Sequence, residues 1–219
     1  MKRVLLGAML VTLFVSCGKS PEEKANALIE KEVKKALYHP ETYDPVETRI
    51  DSAFTPFDDP AFYEKTVQLY KLGMSVDEYE SKMKRAKSSM SIWTGPYLSA
   101  FGRNEYQEAK GEYNENAKNK KDAEKKLEKL IEELKIIMDE ERQFIGFKAR
   151  HRYRANNNVG KTVFGEMEFL FDKDMNRIIA VYDMDNYEYK AVQTIYKLML
   201  NEDAQKEVKG FDYSESLGE

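Results

Sequence analysis

The residues with the clearest chemical potential are four cations at alternate positions, Lys148, Arg150, Arg152 and Arg154. A period of two sets them on one face of an extended strand, with Phe147, Ala149, His151 and Tyr153 on the other. Such a row suits a phosphate, a sulfated sugar or an acidic partner. The plainer account is a solvated face neutralised by glutamates on the next strand. The turn Asn156-Asn157-Asn158-Val159-Gly160 contains residues that accept positive φ, and it returns the chain. The expected register places Arg150 opposite Glu166 and Lys148 opposite Glu168. Arg152 and Arg154 then have no acid across from them and are the candidate ligand- or partner-binding residues.

Other chemistry is sparser. Asp172-Lys173-Asp174-Met175-Asn176 matches the opening of a calcium-binding loop, but Arg177 stands where that loop needs glycine, and the flanks read as strands. A β-turn with ordinary Asp and Asn preferences accounts for it better. His39 ends a helix before Pro40, and His151 lies among apolar strand positions. Neither has a partner at metal-ligand spacing, so no metal or cofactor is expected. No Gly-x-Ser-x-Gly, phosphate-binding glycine loop or His-Glu-x-x-His occurs. Tyr182, Tyr187, Tyr189 and Tyr196 suit either a ligand groove or a core, and their strand and helix spacing favours the core.

The elements that position these residues follow from periodicity and caps. Ser20, Pro21 and Glu23 form a capping box that opens a helix over 21–38, and His39-Pro40 ends it. An extended stretch follows, with only partial alternation between Glu47 and Phe54. Asp58-Asp59-Pro60 starts a second helix, whose apolar stripe runs from Phe62 to Trp93 in a 3-4 repeat. That stripe slips near Gly73, where Ser75 and Glu78 form another capping pair, so a break is expected there. After a turn over 94–104, a long helix is expected over 105–142, antiparallel to the first, with a polar middle from Glu112 to Lys121 that makes the end near the turn a looser protrusion. Strands over 147–154, 162–171 and 177–182 form a meander, and Tyr187 to Leu200 is a final apolar-striped helix.

The N-terminus gives the address. Lys2 and Arg3, the apolar run from Val4 to Val15 and small residues at Ser16-Cys17-Gly18 compose a secretory signal, too short for a spanning helix. Cys17 is the one cysteine of the chain. Phe14-Val15-Ser16-Cys17 resembles the lipobox of bacterial lipoproteins, with Phe14 where leucine is commoner. The resemblance implies acyl chains on Cys17 and attachment to a membrane surface. Gly18 in place of aspartate implies the outer membrane. Loss of residues 1–16 leaves 33 of the 35 basic side chains against 39 acidic ones, a balance that disfavours nucleic-acid binding. With Cys17 acylated, neither disulfides nor thiolate chemistry is expected.

The chain therefore reads as α+β, with a long antiparallel helical hairpin and a small three-strand antiparallel meander packed on helices. Expected boundaries are 1–16 (signal), 17–59 (tether, helix, extended segment), 60–142 (hairpin), 143–200 (sheet and last helix) and 201–219 (polar tail). The meander over 144–182, together with one helix, is weakly similar to the cystatin-like arrangement, in which a sheet wraps a helix. Leu37 to Tyr43 and Gly146 to Asn157 resemble uncharacterised small envelope lipoproteins. The expected function is non-enzymatic: a lipid-anchored envelope protein binding a protein partner through hairpin or sheet. The alternative is a small-ligand or glycan site between sheet and helix.

Overall fold

A computed structural model describes residues 20–200. Cys17, the expected signal segment and the tail after Leu200 lie outside those residues. The described residues are α+β, with four α-helices and a four-stranded antiparallel sheet in the order β1-β2-β3-β4. Its elements are α1 (Pro21–Ala36), β1 (Asp44–Phe54), α2 (Pro60–Ile92), α3 (Ala100–Met138), β2 (Phe144–Asn156), β3 (Thr162–Phe171), β4 (Ile178–Asp183) and α4 (Tyr187–Leu200).

Local chemistry explains the starts. The Ser20 hydroxyl accepts the Glu23 amide at 3.1 Å, and the Glu23 carboxylate accepts the Ser20 amide at 2.8 Å. Both halves of the capping box are therefore made. Asp59 caps α2 through the Ala61 amide at 2.8 Å, with Pro60 at the first helical position. Helix α3 begins at Ala100 rather than Glu105, because Ser99 accepts the Gly102 amide at 3.1 Å.

Two further expectations are corrected. The sheet has four strands, since the extended segment pairs with β2 from Asp44↔Arg154 to Phe54↔Phe144. Its apolar alternation is blurred because an inward position is Thr48, which hydrogen-bonds His151 instead of packing as a hydrocarbon. Helix α2 also runs unbroken past Gly73. The Ser75 hydroxyl donates to the Lys71 carbonyl at 2.9 Å, a mid-helix bond rather than a cap.

Helices cover the sheet on both sides. On one face Ala25, Ile29 and Val33 of α1 pack on Ala149, Phe169 and Phe171, with Met175 of the β3–β4 turn closing the cluster. Leu170 points the other way and is also buried. A second cluster joins Phe62 and Val67 of α2, Leu130 and Leu134 of α3, and Val192 and Tyr196 of α4. Gly146, at φ +151°, allows β2 to enter the sheet, because a Cβ there would stand 2.1 Å from the Phe171 carbonyl oxygen.

Helices α2 and α3 run beside each other in opposite directions. Lys65 meets Glu133 at 2.7 Å, Glu80 meets Lys120 at 2.8 Å, and the Trp93 and Phe101 rings meet next to the turn. The three-helix cluster ends at Leu72 on α2. The remaining 20 residues of α2 extend about 30 Å past it.

Candidate functional site

The central strand β2 carries the basic stripe between acids supplied from three directions. Its register with β3 differs by two residues from the expected one: Arg150 faces Glu168 and Arg152 faces Glu166. The guanidinium–carboxylate distances are 3.0 Å and 3.3 Å. Arg154 faces Phe164 on β3 but pairs with Asp44 on β1. Both candidate binding residues, Arg152 and Arg154, thus have acidic partners. Arg152 also lies over the Phe164 ring at 4.6 Å. Lys148, which faces Leu170, reaches instead to Asp58 at 2.7 Å.

The outer end of this stripe enters the seam between the sheet and α2–α4. The Glu168 side chain is 12% exposed and holds Arg150. Asp58 accepts the Phe54 amide at 2.8 Å besides its bond from Lys148. Above them Tyr63 and Tyr182 lie 4.3 Å apart, with Tyr189 about 6 Å from each. Burial pushes the Tyr63, Tyr182 and Tyr189 hydroxyls up, and the neighbouring Glu168 carboxylate adds to this. They remain protonated hydrogen-bond donors at neutral pH. The cavity between Phe57, Lys148, Glu168, Tyr182 and Gln193 measures about 10 Å³, room for about one water. A larger depression of about 570 Å³ is lined, among the described residues, by positions 125–132 of α3.

His151 sits on the opposite face and is 2% exposed. Its Nε2 lies 2.9 Å from the Tyr43 hydroxyl and its Nδ1 3.0 Å from the Thr48 hydroxyl. A neutral imidazole has one donor and one acceptor nitrogen, and two hydroxyls satisfy both. Burial lowers the His151 pKa and raises the Tyr43 hydroxyl to about 12. This pair is a satisfied part of the core. His39 is at the surface, with Nδ1 3.3 Å from Glu41.

No protein-family model, curated protein or solved structure matches this chain.

The remaining candidates resolve into structural roles. Asp172 accepts the Asn176 amide at 2.7 Å, and Met175 takes a positive φ of 52° and buries its side chain. The Asp-rich loop is thus the β3–β4 turn, with its leading carboxylate committed to backbone. Among the described residues no group of three metal-binding side chains converges. Tyr189 and Tyr196 are core, whereas Tyr187 is exposed. The Tyr196 hydroxyl is buried. The nearby Thr66 hydroxyl donates to the Phe62 carbonyl.

Sequence reasoning missed the Asp58–Lys148 pair, whose members are 90 positions apart. It also missed that the protruding part of α2–α3 buries only Gly73, Ala86, Gly102, Ala109 and Ala123. Larger side chains there, including Met74, Val76, Tyr79, Met83 and Tyr113, stay half-exposed. An arm two helices thick can shield only its own seam. The signal was present in the spacing of these small residues.

Proposed function

We propose that this protein is a non-enzymatic lipoprotein of the cell envelope, held on the outer membrane by acyl chains at Cys17, that docks an envelope protein along the helical hairpin of α2 and α3. The observation that supports it is the unfinished packing of the arm. Glycine and alanine bring the two helices together, and half-covered Val76, Tyr79 and Met83 line a surface where a further helix would complete a hydrophobic layer. Only three residues separate Cys17 from the first helix, so an anchored protein would hold its α1–sheet base near the lipid.

The test is purification of the protein from its native membranes in mild detergent, with Cys17→Ala as the unanchored control. A stoichiometric protein partner should co-elute and be lost on Val76→Glu with Met83→Glu. Absence of any partner, or one indifferent to these changes, overturns docking on the arm. The glycan- or ligand-binding alternative is less well supported, because the cavity between sheet and helices has room for about one water.

A further inference from the structure

The far end of the arm carries a surface unlike the rest of the chain. Tyr97, Ile92 and Phe101 are 96%, 71% and 63% exposed. They stand on an ordered support. The Trp93 ring meets Phe101 edge-on at 5.6 Å. A Cβ added to Gly102 would lie 3.1 Å from a Leu98 methyl and 3.2 Å from the Trp93 ring, so these two side chains close over the glycine. Arg103 donates to the Leu98 carbonyl at 2.7 Å and fixes the turn from below. The apolar groups are held outward rather than folded into the seam.

Charge supplies the second observation. Between Glu80 and Glu105 the chain has no acid, yet it has Lys82, Lys84, Arg85, Lys87 and Arg103; with the adjoining turns of α3 included, residues 81–115 hold six cations against Glu105, Glu108, Glu112 and Glu115, in a protein of net charge −4. Lys82 and Lys84 are paired with Glu78 and Glu80. Arg85 and Lys87 are exposed, one to two turns below Ile92.

Aromatic residues with an apolar body and a polar edge favour the headgroup layer of a bilayer, and cations just beneath them favour anionic lipid. A protein groove would account for exposed aromatics but not for the excess of cations under them. An acidic body is repelled by an anionic surface, so without an acyl anchor this cation-rich end is the part of the described residues suited to approach one. We infer that the tip over 92–101 dips end-on into the interface of an anionic phospholipid membrane, with Ile92, Tyr97 and Phe101 among the headgroups and Arg85, Lys87 and Arg103 against lipid phosphates. This goes beyond the docking of a protein along the arm and does not rest on it.

Trp93 is the one tryptophan of the chain and reports on the tip directly. The full chain carrying Cys17→Ala is mixed with vesicles of phosphatidylglycerol and phosphatidylcholine whose acyl chains are brominated. Trp93 emission should shift to the blue and be quenched, and pure phosphatidylcholine should give far less of both. Tyr97→Ser with Phe101→Ser should abolish the response. Arg85→Gln with Lys87→Gln should weaken partitioning about thirtyfold, from about 1 kcal/mol per cation. All four side chains are exposed, and far-UV circular dichroism verifies that the variants stay folded. Unchanged Trp93 emission overturns the inference, as does an equal response to neutral vesicles. Co-sedimentation with Trp93 unquenched also overturns it, because binding would then lie elsewhere in the chain.

Discussion

The base of the molecule and its arm solve the same packing problem with opposite materials. In the base, Phe169, Phe171 and Ile29 are fully buried between α1 and the sheet, and Phe62 and Leu134 where α2, α3 and α4 meet. In the protruding arm the buried residues are glycine and alanine, and the large apolar side chains stay part-exposed. At about 25 cal/mol per Å² of apolar surface, the base supplies most of the folding free energy. The arm adds little to it. Its stability comes from helix propensity, ion pairs such as Glu80–Lys120 and a narrow seam.

This contrast can be broken first at the base. Phe169→Ala should destabilise the chain by about 3–5 kcal/mol in a denaturant titration, since the side chain sits between α1 and the sheet. Asp58→Ala comes next, at about 2–3 kcal/mol, because it strands the Lys148 ammonium and the Phe54 amide. Lys148→Met added to it should recover part of that loss, and a double-mutant cycle measures the coupling.

A pH titration sharpens the comparison. Burial lowers the folded pKa of His151, so below about 6.5 the unfolded chain binds a proton that the folded chain refuses. Stability should therefore fall as pH drops from about 6.5 towards that lowered value, by at most about 1.4 kcal/mol per pH unit. His151→Gln should flatten this slope. The arm gives the smallest effect: Lys120→Ala should cost only about 0.2–1 kcal/mol, because its pair with Glu80 is part-exposed. A loss at Lys120 as large as that at Asp58 would show that the arm is held as tightly as the base.

Much of the fold was legible where short-range rules apply. The strand over 162–171 and the helix over 187–200 have the expected limits, as does the start of α2 at Asp59-Pro60. The errors share a cause in contacts between distant segments. Gly73 with Ser75 signals a break, but burial against the neighbouring helix keeps α2 continuous. Strand β1 is hidden from periodicity because its inward Thr48 is matched to a histidine 103 positions away. The candidate site suffered most, since a register difference of two residues decides whether Arg152 faces an acid. Arg154 takes its acid from β1, where the alternation is too partial to read as more than a weak strand.

The sequence by itself determined the caps, the helical stripes, the two-residue alternation of β2 and β3 and the turns between the strands, because each depends on side chains within about one or two turns of the backbone they organise. Tertiary structure alone decided which acid neutralises each cation, which tyrosines enter the core, and that the large apolar residues of the arm are left half-covered. These depend on sheet register and on whether a neighbouring element is present to exclude water, and nothing within a single segment encodes either one.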